Sequence, residues 1–468
     1  MAETTVARRL YLACPVSLQN ALVSLKGAQL HRLRYREPLY SRLCAELEES
    51  QWLTRAELQR LSLERLRRVV LWAYEQTEYY HELFDRVGFR PYSDWGPQEF
   101  RSVPLMSRDD IRKNGARMVA RSVPQRKLLP CFTSGTTSSP LKIYLQSEHI
   151  VADWAQWTRF RKWCGFAVGE PRVTFNGRIF VHPDRTTPPF WRYNAAERQL
   201  LMSSFHVSRR TAQSYIDRIN AYRPVHIDGY VSSLYTLTRF IHDSGASVHS
   251  PRSIATYSET LFPYQKETIR NAFRCPVHCQ YGLSEGVCWA GECPDGSLHV
   301  SEEFGYFEII KDNGTPAGEG EQGQIVGTSF HCLGMPLIRY ATSDLAVASD
   351  VFCECGRGSR VVRSLEGRVL DIIVTPSGRQ IPPTALTLLF DKAAVLNIRE
   401  SQVAQTGPEQ VVVRVVPESA FDAKDEAGIV DDLQRILGHE MAVRVELVQA
   451  IQRTKAGKFR FVAREWNG

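Results

Sequence analysis

Tyr281-Gly282-Leu283-Ser284-Glu285 sets an aromatic ring, a turn glycine and a carboxylate within one short stretch. Three other segments give it meaning by their order. Phe132-Thr133-Ser134-Gly135-Thr136-Thr137 precedes it, and Arg339-Tyr340-Ala341-Thr342-Ser343-Asp344 and Arg453-Thr454-Lys455-Ala456-Gly457-Lys458 follow, with Gly367-Arg368 between those two. In the earliest, the hydroxyls of Thr133, Ser134, Thr136, Thr137, Ser138 and Ser139 surround Gly135. A glycine that tolerates unusual backbone angles lets successive N–H groups turn inward as an anion nest, so the loop suits phosphate oxygens. No Gly-Lys-Ser or Gly-Lys-Thr follows, which excludes the P-loop NTPase type. Alone, the hexapeptide also reads as a Ser/Thr-rich surface turn.

A nucleotide site further needs an acceptor for ribose hydroxyls and a hard oxygen ligand for the magnesium that neutralises a triphosphate, roles that suit Asp344 and Glu285. Val300 to Ile310 and Gln324 to Phe330 read as strands joined through the Asn313-Gly314 turn, and Asp344 follows the mixed run Met335 to Tyr340. That places it at a strand end, where α/β proteins hold ligands. Taken singly, both acids read as solvated turn residues. The neighbouring motifs reverse that reading.

With these motifs the chain resembles the adenylate-forming ligase superfamily, and within it the phenylacetate-CoA ligase-like branch that includes capsule-biosynthesis proteins of the CapK type. The resemblance covers nearly the whole length and extends to Pro15-Val16-Ser17-Leu18-Gln19-Asn20, the helix-like Leu66 to Tyr80, and Pro104-Leu105-Met106-Ser107. It implies an α/β fold with a large layered amino-terminal domain, residues 1–368, and a small mobile α+β carboxy-terminal domain, residues 369–468. By the same resemblance, Thr133, Ser134, Gly135, Thr136 and Thr137 would hold the ATP phosphates, and Tyr281, flanked by Gly282 and Ser284, would lie against the adenine. Glu285 would ligate Mg2+, Asp344 would bind the ribose hydroxyls, and Arg368 would reach the ribose or phosphate. Tyr257-Ser258-Glu259 is similar to the family segment preceding the adenine site, so Ser258 or Glu259 would contact the purine edge.

Lys458 would bridge the carboxylate and the α-phosphate during acyl-adenylate formation. Attack of one anion on another is opposed by charge, and a mobile ammonium near both reacting oxygens stabilises what develops in the transition state. Lys455 competes for this role, and Arg453, Lys455, Lys458, Arg460 and Arg464 together also read as a solvated basic tail. Two positions depart from the family pattern. Ser138 stands where many relatives have glycine, and Val369-Leu370-Asp371 follows Gly367-Arg368 where relatives commonly carry two adjacent acids, so Leu370 occupies the hinge position.

The implied reaction has two parts: an acid attacks the ATP α-phosphorus, releasing pyrophosphate and forming acyl-AMP, and an acceptor then displaces AMP. CoA, an amine or a hydroxyl all fit as acceptor, in capsule or secondary-metabolite biosynthesis. Arg360, Arg363 and Arg379 are the cations near the domain boundary that a CoA would meet. Tyr230, Phe205 and Trp289 are candidates for an aromatic or apolar acyl wall, although each also reads as core. Two other classes stay open: an AMP transferase acting on a small-molecule hydroxyl, and a noncatalytic nucleotide-binding protein.

Composition agrees. At 468 residues and 43% hydrophobic the chain buries a large core in more than one domain. No run approaches a membrane span, and Arg8, Arg9, Pro15, Gln19 and Asn20 interrupt the start, so the expected location is the cytoplasm, with peripheral membrane contact left open. A net charge of +7, spread along the chain, suits small anions rather than a nucleic-acid surface. The partners are a small-molecule acid and its acceptor; the oligomeric state, a dimer included, is not encoded here.

The opening region to about Arg112 reads as packing helices: Thr54 and Glu57 have capping-box spacing, Leu63, Leu66, Val70 and Ala73 make an apolar stripe, and Ser107 with Asp110 caps a helix leading to Asn114. Val173 to Val181 reads as a strand and Leu234 to Ile241 as a helix. Near the end, Val411 to Val416, then Ile429, Leu433, Ile436 and Leu437 at helical spacing before Gly438, then alternating Val443, Val445 and Leu447 spell a small β-α-β module that delivers Lys458 after its last strand. The eleven cysteines are an odd number without a disulfide framework. Cys353 and Cys355 in a Cys-x-Cys knuckle, with Cys293 and His299, suit a structural Cys3His zinc site; Cys279 and Cys288 are alternative ligands.

Overall fold

The structure, a computed structural model, describes residues 5–133, 141–368, 371–386, 397–454 and 458–466. Helices Thr5–Ala13, Val16–Arg34, Leu39–Ser50, Arg55–Gln76 and Glu78–Val87 open the chain. The Thr54 capping box forms as expected: its hydroxyl accepts from Glu57 N–H at 3.3 Å while the Glu57 carboxylate accepts from Thr54 N–H at 2.8 Å, an arrangement that contributes about 1 kcal/mol. The run Leu66 to Tyr80 is not one helix. Thr77 interrupts it, and its hydroxyl caps the next helix by accepting from Tyr80 N–H at 3.2 Å. Leu66, Val70 and Ala73 are fully buried against Val300 and Phe307, and Leu63 packs at the margin of that core. Among the described residues no helix is long and apolar enough to cross a membrane.

β1 (Leu129–Thr133) and β2 (Leu141–Leu145) form an antiparallel pair. A twelve-stranded sheet takes β3 (Arg172–Asn176), β4 (Trp191–Asn194), β5 (Gln199–Ser203), β6 (His226–Gly229), β7 (Ser253–Tyr257), β8 (Val277–Gly282), β9 (Trp289–Glu292), β10 (Leu298–Val300), β11 (Gly305–Ile310), β12 (Gln322–Ser329), β13 (Tyr340–Ser349) and β14 (Val361–Arg368). Its order is β11-β12-β13-β14-β10-β9-β8-β7-β6-β3-β5-β4. β3, β5, β6, β7 and β8 run parallel, with helices such as Ala212–Tyr222 and Val231–Ser244 as crossovers. Their carboxyl ends, Asn176, Ser203, Gly229, Tyr257 and Gly282, therefore share one edge.

The sheet also corrects three sequence boundaries. The strand expected to reach Val181 ends at Asn176, and Val300 to Ile310 is two strands broken by a turn closed from Phe304 N–H to Ser301 carbonyl at 3.0 Å. Asp344 lies inside β13 rather than beyond a strand, because the buried Leu345 and Ala346 carry the pleat onward. The sheet is strongly curled. Tyr281 on β8 and Asp344 on β13 are four strand steps apart in the order, roughly 19 Å in a flat sheet, yet their side chains share a 2.8 Å hydrogen bond.

Beyond β14, β15 (Ile373–Val374) pairs with β16 (Gln380–Ile381), and a second sheet, β19-β18-β17-β20, contains β17 (Ile398–Gly407), β18 (Gln410–Pro417), β19 (Ala442–Leu447) and β20 (Val462–Arg464). β18, the helix Ala423–Leu437 and parallel β19 make the expected β-α-β unit, which buries Val411, Val413, Ile429, Leu433 and Leu437 together. Two further strands enlarge it. Lys458 consequently sits between β19 and β20, since Val462 to Arg464 returns to pair with β17.

Candidate active site

Asp344 and Arg368 are direct register partners across β13 and β14, and the guanidinium Nε lies 3.2 Å from the carboxylate. The other carboxylate oxygen accepts the Tyr281 hydroxyl at 2.8 Å. Burial pushes the Asp344 carboxyl above its ordinary range, with Arg368 and Tyr281 opposing the shift. Ser343, just before it, has φ of +66°, and Ser258, just after β7, has φ of +67°. Non-glycine residues in this region are strained and persist only where their surroundings over-determine them.

Glu285 follows the exposed Gly282 and Ser284 but is itself buried. Its Oε1 accepts the Tyr340 hydroxyl at 3.0 Å and stands 3.6 Å from Arg108. Arg108 also donates to Thr133 Oγ1 at 2.9 Å. It reaches this point because Met106 bridges Tyr340, its N–H meeting the Arg339 carbonyl and its carbonyl the Ala341 N–H, both at 2.9 Å. Gly286 has φ of +64°, and a Cβ there would fall 2.1 Å from the His149 ring, so the chain turns tightly behind the carboxylate. Thr133 closes β1; Ser134, Gly135, Thr136 and Thr137 lie outside the described residues, as do Lys455 and the hinge position Leu370.

Lys458 enters from the second sheet. Its Nζ lies 5.9 Å from the centroid of Tyr230. Burial lowers its pKa, Arg368 lowers it further, and Glu259, Asp344 and Glu285 act in the opposite direction. All four charged groups thus act on the ammonium. Glu259 is engaged within the protein. Its carboxylate accepts Ser232 N–H at 2.7 Å, the Ser232 hydroxyl at 3.0 Å and Phe459 N–H at 2.8 Å, joining the first turn of helix Val231–Ser244 to the residue after Lys458.

The acyl candidates separate. Tyr230 sits at the end of β6, 5.8 Å from Tyr257. Phe205 is half exposed beyond β5, two strands further along the edge. Trp289 is 1% exposed on β9, packed on Phe160 at 5.7 Å and Trp157 at 6.0 Å, and is the register partner of Gly282. Of the proposed CoA cations, Arg360 pairs with buried Glu302 at 2.5 Å and Arg379 donates to the Ile436 and Leu437 carbonyls at 3.0 and 2.8 Å, so both serve the fold. Arg363 is exposed beside Glu319. Arg108, Tyr340 and the Ser232 contact escaped the sequence reading; Arg108 had shown only as the first residue of a capped helix.

Cys293, His299, Cys353 and Cys355 bring four ligand atoms within 4.8 Å of one another. Cys293 Sγ and Cys353 Sγ are 3.7 Å apart, and Cys355 Sγ is 3.3 Å from His299 Nε2. His299 Nδ1 bonds Ser359 Oγ at 2.9 Å, which leaves Nε2 facing the thiols. Cys279 and Cys288 stand apart, beside Glu292 and Tyr281 respectively.

Residues 373–465 match the CapK C-terminal domain family. The chain is 25% identical to protein CapK of Staphylococcus aureus over 97% of its length and 98% of that protein. It is 27% identical to the phenylacetate-coenzyme A ligase of Thermus thermophilus, covering 72% of this chain and 76% of the ligase. Among solved structures, a 2-hydroxyisobutyryl-CoA ligase in the postadenylation state superposes with a TM-score of 0.70 at 17% identity, covering 89% of this chain and 91% of that one. The chain is thus similar to CapK along nearly its whole length and to phenylacetate-coenzyme A ligases over about three quarters of it, its residues 373–465 match the CapK C-terminal domain, and it shares the fold of the 2-hydroxyisobutyryl-CoA ligase.

Proposed function

We propose that this protein is an acyl-adenylate-forming ligase: a carboxylic acid attacks the ATP α-phosphorus, the bond to pyrophosphate breaks, and the acyl-AMP formed then passes its acyl group to CoA or to an amine or hydroxyl while AMP leaves. The convergence of Asp344, Arg368, Glu285 and Lys458 from β13, β14, the β8 turn and the second sheet carries this reading. Asp344 accepts the ribose hydroxyls, with Tyr281 beside the base and Arg368 on the ribose or phosphate. Glu285 holds Mg2+, and the Thr133 loop takes the phosphates. Lys458 places an ammonium between carboxylate and α-phosphate, where developing charge is stabilised in a water-poor site. Relatives named as CoA ligases favour acyl transfer over AMP transfer to a hydroxyl. Acid-dependent exchange of labelled pyrophosphate into ATP tests it: the native protein exchanges with a suitable acid, and Lys458→Ala loses roughly 10²–10³-fold. Exchange unchanged in that variant rejects the lysine assignment.

The Cys293, His299, Cys353 and Cys355 set fits Zn2+. Ligand separations of 3.7 and 3.3 Å suit a tetrahedral ion with bonds of about 2.0–2.3 Å. With all four positions taken by protein the role is structural. The expected content is one zinc per chain by elemental analysis.

A further inference from the structure

The helix Ser147–Trp163 lays Asp153, Trp157 and Arg161 along one face at intervals of four. Arg161 and Arg172 reach Asp228 of β6 at 3.4 and 3.8 Å, and Arg172 also pairs with Glu197, which takes Arg34 at 2.9 Å. The Tyr257 hydroxyl donates to the Phe175 carbonyl at 3.1 Å and stands 3.5 Å from Asp228. A continuous path leads here from Lys458: to Tyr230 at 5.9 Å, Tyr257 at 5.8 Å, Trp157 at 5.6 Å and Arg161 at 5.0 Å.

Arg161 ends this path, and Asp153 lies one turn before Trp157 on the same helix face. Arg161 is 5% exposed, its guanidinium within 5.3 Å of the Trp154 ring and 5.0 Å of the Trp157 ring, and its Nε–H has no partner among the described residues. Asp153 accepts no hydrogen bond from the described residues, and burial lifts its carboxyl to about 7 against the pull of Arg34 and Arg161. The Arg161 guanidinium is paired with Asp228 through a terminal nitrogen, so its spare donor is the Nε–H. Leaving a buried donor unpaired costs about 1–3 kcal/mol, and an entirely apolar acid would leave it so.

Resting on the adenylation reading, we propose that the acid activated here carries a second acidic oxygen group, a carboxylate or an acidic phenol, at the end remote from Lys458. Arg161 holds that group through its Nε–H, and the acid's body runs alongside Tyr230, Tyr257 and Trp157.

Pyrophosphate exchange on the full chain tests this with matched acids: phenylacetate, its 4-hydroxy, 4-carboxy and 4-amino derivatives, and butyrate with glutarate and 4-aminobutyrate. The expected result is a kcat/KM at least tenfold higher for an acid with the second acidic group than for its parent. The double variant Arg161→Met/Asp228→Asn, which removes the buried pair together, brings the two to the same level, whereas Asp153→Asn, which leaves that pair in place, retains the preference. If a parent acid or an amino derivative equals or exceeds its acidic counterpart, the inference is overturned while adenylation stands. Absence of exchange with every acid removes the adenylation reading, and this inference with it.

Discussion

At the scale of single residues, the site is organised by how burial sets charge. Lys458 has its pKa lowered below the ordinary 10.5, first by desolvation and then by Arg368. Both penalise the ammonium, so the folded protein binds this proton less tightly than an unfolded chain does, and the ammonium is lost earlier as pH rises. The rate of pyrophosphate exchange should therefore fall on the alkaline side with a midpoint below 10.5, measured as a pH–rate profile at saturating ATP. Lys458→Arg, whose guanidinium stays charged, should remove that limb from whatever activity remains. Lys458, Asp344 and Arg368 were legible because their chemistry travels with short local signatures. Arg108 was not, since its contact with Glu285 spans distant segments and follows only from the Met106–Tyr340 bridge. Glu259 was assigned by local likeness to the purine, yet its carboxylate is engaged by Ser232 and Phe459.

At the scale of elements, strand type was read better than strand extent. Val411 to Val416 and the Ile429–Leu437 helix were legible because hydrophobic period is a local property. The break at Ser301–Phe304 and the continuation of β13 past Asp344 were not, because both depend on which strands lie alongside. β10 and β14 join through only two register pairs, Leu298 with Val362 and His299 with Val361. The Cys293, His299, Cys353 and Cys355 cluster sits beside this short seam, where the proposed zinc would tie the β9–β10 hairpin to the connection entering β14. Cys355→Ser should abolish stoichiometric zinc and lower Tm by roughly 5 °C or more, on the scale of about 2–4 °C per kcal/mol for domains of this size. Calorimetry with parallel metal analysis checks it, and a zinc-free variant with native Tm would count against a structural ion.

At the scale of the whole molecule, the second sheet is docked so that Lys458 faces the first, and Glu259 is a meeting point of the two. One carboxylate receives both Ser232 N–H and Phe459 N–H. If the tail rotates away for acyl transfer, Phe459 N–H loses its acceptor while Ser232 N–H keeps Glu259. Hydrogen exchange should then show Phe459 protected in the acyl-AMP complex and deprotected when the acceptor is added, with Ser232 protected throughout. In Glu259→Gln the protection of both should be weakened from the outset, by roughly 10-fold or more, as expected for losing hydrogen bonds to a charged group. Phe459 protection that persists through acyl transfer would argue for chemistry without rotation.

The parallel strands deliver their loops to a single rim, and one helix, Ser147–Trp163, backs two parts of it: His149 packs behind the Glu285 turn at Gly286, while Asp153, Trp157 and Arg161 lie further along. Under the proposed reading, choice of acid and grip on the metal share a single support, about one to three turns apart. Exchanging side chains near its far end would change diet, whereas a change at its start would disturb the nucleotide side as well.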